Sequence, residues 1–281
     1  MNSSNCLNRV SNSASKKPPR NHNMKAQDIA SIIKKLAPPE LAYEGEEIGF
    51  IVGEENKEVT VLAITERPTV EVLQKANNNK VDMLIVHEPL YQSKKSFLVN
   101  ESSLSYPPNQ KREKLVKQGN FCVYRLHSEW DDAIDGNNDT LAKLLGIEAM
   151  DKLPYGRIGK IKTATLEQFV ETVKKSLSCK YLLVVGDKNK IINTVAVVAG
   201  SGNSLTEIME VAKQKGADVL VSGDIQDSRA RFAEELGLAV IDAGDYFTEN
   251  PGAKKLAEIL HSELPDVKVL HLDPGAPWEV F

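Results

Sequence analysis

The sequence is poor in cysteine, has no long apolar run and carries no large excess of either charge. Its three cysteines, Cys6, Cys122 and Cys179, are odd in number and widely separated. This argues against a disulfide framework and fits a reducing, cytoplasmic compartment. The roughly 18 consecutive apolar residues of a membrane-spanning helix do not occur, and a net charge of −4 gives no basic surface for general nucleic-acid binding. These absences predict a soluble protein without membrane or general nucleic-acid partners.

Residues 1–23 differ in composition from the rest of the chain. They contain no acidic residue, many serines and asparagines, and four basic residues: Arg9, Lys16, Lys17 and Arg20. Such a segment has too little apolar surface to fold by itself, so we predict a disordered extension. Organelle transit peptides are also poor in acidic residues, although the amphipathic apolar face of such a peptide is missing here. Targeting is therefore the alternative interpretation.

The remaining chain alternates between apolar strands and amphipathic helices. With 281 residues, 41% of them hydrophobic, it is long enough for two α/β domains. The strands are almost entirely apolar, which is typical of sheets covered by helices on both faces. We predict an α/β fold with two lobes that contain mixed sheets. The first lobe is assigned to 24–150, completed by 240–281, and the second to 155–240, with Asp151–Gly159 as the boundary.

One sequence unit occurs twice. Residues 80–88 read KVDMLIVHE and residues 216–224 read GADVLVSGD. Both contain an aspartate, then an apolar strand, then polar residues at the strand end. The two halves therefore look like diverged copies of one design, and a site shared between them is the leading hypothesis.

Candidate ligands for metal ions follow several predicted strands: His87, Glu88, His127, Asp131, Asp245 and Glu249. His127 precedes Asp131 by four residues and Asp245 precedes Glu249 by four, a spacing common among metal ligands. In open α/β sheets, ligands bind beyond the carboxyl ends of the strands. Two imidazoles and four carboxylates can hold two divalent ions, and the mixed set suits zinc, iron, manganese or nickel without selecting one. The alternative is that these residues are solvated or cap helices.

The sequence contains further candidate residues. Some of them have both a functional and a structural interpretation, and others have only a structural one. Gly200–Asn203, between a strand and a helix, can present backbone donors to a phosphate or form only a tight turn. Arg125 can bind an anionic substrate or pair with a carboxylate, and pairing is favoured. Cys122 lies inside an apolar strand without a basic partner, so we predict a core thiol. Trp130 is predicted to be a packing residue that fixes the Asp131 turn.

Several of these residues lie in motifs that resemble a known family. The motifs are His87-Glu88-Pro89-Leu90, Tyr124-Arg125-Leu126-His127 with Trp130-Asp131, Gly200-Ser201-Gly202, Val221-Ser222-Gly223-Asp224 and Gly244-Asp245-Tyr246-Phe247-Thr248-Glu249. In this order they resemble the NGG-interacting-factor-three-like family, over about Met24 to Leu272. Bacterial and archaeal members of that family are often named GTP cyclohydrolase type-two homologues.

The resemblance implies two related α/β lobes with a dinuclear metal centre in the cleft between them, assembled as a toroidal homohexamer. It carries the metal ligands onto five positions: His87, Glu88, Asp131, Asp245 and Glu249. It implies a metal-dependent hydrolase in which activated water attacks a nucleotide or related small substrate, with His127 or Glu129 as the nearest general acid or base. The alternative is a non-enzymatic metal-binding or regulatory scaffold that acts through protein partners.

Two positions depart from the commonest pattern of the family. Glu88 and Asp245 stand where the resemblance implies histidines, and each replaces a neutral nitrogen ligand with a charged oxygen. Carboxylates favour harder ions, and they repel one another when no ion is bound. A degenerate member with an empty cleft is therefore a third hypothesis.

Overall fold

The computed structural model describes residues 24–92 and 103–279, so the predicted extension 1–23 lies outside the described residues. The strands are β1 Gly49–Val52, β2 Val61–Thr65, β3 Met83–Val86, β4 Cys122–Arg125, β5 Glu148–Leu153, β6 Gly156–Thr165, β7 Leu183–Val185, β8 Ile191–Val197, β9 Val219–Ser222, β10 Ala239–Asp242 and β11 Lys268–His271. The α-helices are α1 Ala26–Leu36, α2 Val70–Asn78, α3 Pro107–Gly119, α4 Ser128–Asp132, α5 Asn137–Leu144, α6 Leu166–Leu177, α7 Thr206–Gln214, α8 Asp227–Leu236 and α9 Asp245–Glu263. None of the helices in these ranges combines the length and apolar composition needed to cross a membrane.

The strands form two mixed sheets. The first has the order β1-β4-β3-β2-β11, in which β4, β3, β2 and β11 are parallel and β1 is antiparallel to β4. The second has the order β5-β6-β8-β9-β10-β7, with parallel pairing among β8, β9 and β10 and antiparallel pairing towards both edges. The predicted α/β class with mixed sheets is confirmed.

Helices cover both faces of each sheet. On the first sheet, α1 and α9 pack on one face through residues such as Ile29 and Leu256, while α2 and α3 pack on the other. On the second sheet, α5 and α6 cover one face, and α7 and α8 cover the other. Successive strand residues point to opposite faces, so the neighbours Leu62 and Ala63 of β2 belong to different cores. Burial on both faces explains why the strands are almost entirely apolar.

The sheets divide the chain at residues that differ from the predicted lobe bounds. Asp151–Gly159, predicted as the boundary between lobes, lies in the β-hairpin formed by β5 and β6 of the second sheet. Tyr155 occupies the turn of this hairpin with a φ of 67°. Strand β10 also belongs to the second sheet, and β11 returns to the first. Proline and glycine in this segment therefore mark a tight turn instead of a linker.

The repeated sequence unit has the same local structure in both halves. A residue with positive φ ends the preceding helix in each copy: Lys80, with φ of 54°, follows α2, and Gly216, with φ of 85°, follows α7. Two residues later, Oδ2 of Asp82 or Asp218 accepts hydrogen bonds from two successive backbone N–H groups of the neighbouring strand segment. The shared aspartate thus has a structural role, and it joins each repeated strand to its neighbour.

Asp82 provides a test of this role. Its Oδ2 accepts hydrogen bonds from the N–H and Oγ1 of Thr60 and from the N–H of Val61, at 2.8–3.0 Å. We expect Asp82→Ala to lower the free energy of unfolding by about 1–2 kcal/mol, measured by urea denaturation at pH 7. Asp266→Ala, at an exposed position, is the control and should change it by less than about 0.5 kcal/mol.

The same comparison has a defined pH dependence. Burial alone would raise the pKa of Asp82, but the hydrogen bonds from Thr60 and Val61 lower this pKa below its usual value. A carboxyl whose pKa is lower in the folded state contributes stability above its unfolded pKa and loses that contribution as the pH falls through the folded pKa. The difference between wild type and Asp82→Ala should therefore shrink below about pH 4. A difference that stays constant down to pH 2 would contradict this account.

Candidate metal centre

Two groups of candidate metal ligands lie where strands of both sheets end. His87, His127 and Asp131 form the first, here called the His87 group, and Glu66, Asp245 and Glu249 form the second, called the Glu66 group. Within each group, one possible ligand atom of every residue lies within 4.8 Å of the others. His87 and Glu66 follow β3 and β2 of the first sheet, whereas Asp245 begins α9 shortly after β10 of the second. The candidate site therefore draws on both sheets.

The ring of His87 has a fixed orientation. Its Nδ1 lies 3.0 Å from the carbonyl oxygen of Leu126, and since a carbonyl can only accept, Nδ1 carries a proton. The other nitrogen, Nε2, faces Asp131 Oδ1 at 3.5 Å and Glu249 Oε1 at 3.4 Å. In a neutral ring this nitrogen presents its lone pair to the carboxylates, which is the arrangement of metal-binding histidines.

His87 also connects the two groups, because its Nε2 contacts one carboxylate from each. Burial alone would lower the pKa of His87, but the charges of Glu249 and Asp131 outweigh it and raise the pKa well above its usual value. The ring therefore lies in a strongly negative environment. Such an environment favours a cation at this position.

The buried carboxylates of the two groups outnumber the positively charged side chains that pair with them. Burial raises the pKa of Glu66 to about 7 and raises the pKa of both Asp131 and Glu249. Oε2 of Glu249 is buried and has no hydrogen-bond partner among the described residues. Buried carboxylates in proteins are normally paired or bound to metal ions. The donor set therefore fits divalent cations.

Glu88 is not part of either group. Its Oε1 lies 3.6 Å from Arg67 Nη2 and 3.9 Å from His127 Nε2, so it stands beside the groups, close to a guanidinium. Glu66, which was not predicted, supplies the additional carboxylate. It directly follows the buried strand β2, so the same strand-end rule that selected His87 would have selected it. The assignment of Glu88 as a ligand stays a prediction.

His127 is held by a carboxylate that the sequence analysis did not select. Its Nδ1 contacts Glu46 Oε1, and the hydroxyl of Ser128 donates to Glu46 Oε2. Although burial would raise the pKa of Glu46, the hydrogen bonds from His127 and Ser128 lower it to about 2. Glu46 therefore stays ionised and orients the ring, so that Nε2 faces the site.

Glu129, the second predicted general acid or base, has a different position. The residue is 1% exposed, and its Oε2 accepts a hydrogen bond of 3.0 Å from the backbone N–H of His127. This bond satisfies one of the free donors at the start of α4. The structure does not bring Glu129 into either ligand group, and its role in proton transfer stays a prediction.

Two asparagines at the start of α5 fix Asp131. Asn137 Nδ2 donates to Asp131 Oδ1 at 2.7 Å, and Asn138 Nδ2 donates to the Asp131 carbonyl at 2.9 Å. Asn138 Oδ1 in turn accepts from the N–H of Ala199, after β8. The N-cap of α5 is Gly136, so both asparagines lie in the first turn of the helix. They connect Asp131 to the second sheet.

The segment Gly200–Asn203 is a tight turn against Glu249. The N–H of Gly200 donates to Thr248 Oγ1, and the N–H of Asn203 donates to the Gly223 carbonyl, so these donors are already used. Gly200 has a φ of 77°, and a Cβ atom there would lie 2.2 Å from Glu249 Oε1. The turn therefore brings the backbone close to a candidate ligand, which only glycine permits.

The remaining assignments concern structural residues. Arg125 is buried and pairs with Glu46 at 3.3 Å, and it also donates to the Glu47 carbonyl at 2.8 Å. The pairing interpretation is therefore confirmed. Cys122 is fully buried, and burial raises its pKa to about 11, as expected for a core thiol. Trp130 is also buried, and its Nε1 donates to the Gly252 carbonyl of α9.

Comparisons with known proteins agree with this architecture. The model of the family described as Duf34/NIF3 (NGG1p interacting factor 3) matches residues 24–274. A Methanocaldococcus jannaschii protein named "GTP cyclohydrolase 1 type 2 homolog" is 37% identical over 255 residues, which cover 89% of this chain and 100% of that protein. The solved structure of reduced HcgD from the same organism is 34% identical with a TM-score of 0.74, covering 89% of this chain and 98% of HcgD.

A Bacillus cereus protein related to NIF3 gives a TM-score of 0.78 at 22% identity, over 92% of this chain and 99% of that one. At this identity the likeness shows the fold alone. The family match, by contrast, spans almost all of the described residues. This chain therefore belongs to the Duf34/NIF3 (NGG1p interacting factor 3) family.

Proposed function

We propose that the chain binds two divalent metal ions and hydrolyses a nucleotide or a related small phosphoester. The observation that carries the proposal is the group of buried carboxylates around His87, whose Nε2 contacts Asp131 and Glu249. His87, Asp131 and His127 would hold one ion, and Glu66, Asp245 and Glu249 the other. Zinc, iron, manganese and nickel all suit this mixture of nitrogen and oxygen donors.

Divalent ions in such a site supply Lewis acidity that polarises a substrate and activates water. The chain's own residues position the ligands: Leu126 fixes the ring of His87, Asn137 holds Asp131, and Glu46 holds His127. His127 is the predicted proton carrier, and its place in the His87 group also makes it a candidate ligand. His127→Ala distinguishes these roles, because a proton carrier is lost without loss of metal.

We infer the substrate class only from the names of the relatives and from the chemistry of the proposed metal ions. A protein named "GTP cyclohydrolase 1 type 2 homolog" is 37% identical, which supports a nucleotide. We also propose a homohexamer for the assembly. A metal-holding scaffold without turnover is the second candidate, and the position of Glu88 favours it, since this carboxylate lies beside Arg67 and belongs to neither ligand group.

The first experiment measures metal content. Protein purified without chelators or an affinity tag should contain about two equivalents of a transition metal by elemental analysis, and Asp131→Ala should contain about one equivalent or less. Nucleotides and phosphoesters are then screened, and turnover should fall at least about hundredfold in Asp131→Ala. Metal without turnover on either substrate class supports the scaffold. A wild type that contains no metal and takes up none on reconstitution rules out both candidates.

A further inference from the structure

Arg67 places a positive charge among the candidate metal ligands. Its Nε donates to Glu66 Oε1 at 3.1 Å, and its Nη2 donates to Asp245 Oδ1 at 2.8 Å. Nη2 also lies 3.6 Å from Glu88 Oε1. Two of the three residues of the Glu66 group are therefore already paired with a cation. We propose that Arg67 is a built-in counter-cation that stabilises the Glu66 group without metal and lowers its affinity for a divalent ion.

The inference rests on the proposed metal site, and its physical basis is competition for the same carboxylates. An ion held by Glu66 and Asp245 must share or take the oxygens that accept from the guanidinium. It also experiences the repulsion of a charge held next to its ligands. Even in a water-like dielectric, a unit charge about 5 Å from a divalent ion changes the binding constant by about tenfold. The buried position of Glu66, which is 1% exposed, reduces screening and increases the effect.

Without metal, the same contacts stabilise the site. The Glu66 group and Glu88 would otherwise place several carboxylates side by side, and like charges in a shared site repel. Burial alone would lower the pKa of Arg67, but the charges of Glu88, Glu66 and Asp245 outweigh it and raise the pKa above its usual value. Arg67 therefore remains charged while it holds these side chains together. Its side chain is 33% exposed, so it is able to move out of the group when an ion enters.

The partners of Arg67 include both carboxylates that replace histidines in the family pattern. Glu88 and Asp245 each add a negative charge where a neutral ring was implied. Of the arginines in the described ranges, Arg67 alone forms ion pairs with Glu66, Glu88 or Asp245. Arg67 thus compensates the negative charge that this chain carries at Glu88 and Asp245 and that a set of histidine ligands would not carry. It adjusts the ligand group without being a ligand itself.

The test compares metal-free wild type with Arg67→Gln, which keeps a polar side chain but removes the charge. Mn²⁺ is titrated into each protein, and the concentration of free Mn²⁺ is measured by electron paramagnetic resonance. We expect the second Mn²⁺ to bind at least about tenfold more tightly to Arg67→Gln. The melting temperature of the metal-free variant should be lower than that of wild type, and the increase on adding Mn²⁺ should be larger. Arg231→Gln is the control, because Arg231 is an exposed arginine that pairs with Asp227 on the surface.

Opposite changes in metal-free stability and in affinity are the signature of a counter-cation. A purely structural arginine would lower both on substitution, so an affinity in Arg67→Gln equal to or weaker than wild type overturns the inference. If the variant does not fold, Arg67→Lys replaces it: the ammonium lacks the planar fork that joins Glu66 to Asp245. The second Mn²⁺ should then bind at least about threefold more tightly than in wild type, and a weaker or equal value overturns the inference. If no form binds Mn²⁺, the proposed metal function fails as well; if all bind it equally, only the role of Arg67 fails.

Discussion

Glu249→Gln should remove both metal ions while leaving the fold intact. Oε1 of Glu249 lies 3.4 Å from His87 Nε2, and the residue also belongs to the Glu66 group, so it contacts both halves of the proposed centre. Loss of a residue that only orients a ligand weakens metal binding by about 10–100-fold. Loss of a shared ligand should therefore weaken it by at least about 100-fold. Elemental analysis and Mn²⁺ titration measure this directly.

The fold should tolerate this change because glutamine has the same shape and burial already favours an uncharged side chain. Burial raises the pKa of Glu249 well above its usual value. The metal-free melting temperature of Glu249→Gln should therefore stay within a few degrees of wild type. Asp245 belongs to the Glu66 group alone. Asp245→Asn should therefore lose about one equivalent of metal instead of two. Glu258→Gln, exposed on the same helix α9, should lose none.

The result that contradicts this prediction is a Glu249→Gln protein that retains two equivalents. Such a protein would show that the ions lie elsewhere and that Glu249 is a buried structural carboxylate. Retention of one equivalent would show that Glu249 serves one ion only, and the comparison with Asp245→Asn identifies which one.

Much of the fold could be predicted because it depends on local patterns. The sequence Thr165-Leu166-Glu167-Gln168 has the spacing of a capping box, and the structure forms one, with reciprocal hydrogen bonds of 3.2 and 3.0 Å at the start of α6. The apolar strands lie in sheets that are covered on both faces, and Cys122 is core. Asp151–Gly159 forms a hairpin and not the predicted boundary between lobes, because proline and glycine are found in both linkers and tight turns. Only the pairing of β5 with β6 distinguishes the two.

The candidate site was predictable only where a possible ligand lies at or just past the end of a strand. His87, Asp131 and Asp245 obey that rule, and Glu66 obeys it as well although it was not selected. Glu46 obeys no local rule: it lies in a loop, 81 residues before the His127 ring that it contacts. The folded chain creates such a contact, and neither periodicity nor a short motif indicates it. The same reason explains why the pairing of Arg67 with Asp245, across 178 residues, required the structure.

Arg157→Met should produce the largest loss of stability. The Arg157 side chain is buried, and its Nε donates to Asp139 Oδ1 at 2.6 Å while its Nη1 donates to Asp132 Oδ1 at 2.8 Å. Nη2 also donates to the carbonyl of Asp132 at 3.0 Å. Removal of one partner from a buried charge pair leaves an uncompensated charge and costs about 3–5 kcal/mol. For a chain of this size, the melting temperature should fall by roughly 10 °C.

Lys152→Ala is the matched control because Lys152 contacts the same Asp132, at 3.5 Å, but its side chain is 58% exposed. An exposed ion pair contributes about 1 kcal/mol or less, so equal losses in the two variants would refute the importance of the buried network. Arg157→Met combined with Asp139→Asn should be more stable than Arg157→Met alone, since one buried carboxylate no longer lacks a partner. Arg157 joins β6 to Asp132 of α4 and Asp139 of α5, and these helices carry Asp131 and the Asn137 that holds it. The single variant should therefore also bind Mn²⁺ more weakly, and the double variant should regain part of that affinity together with its stability.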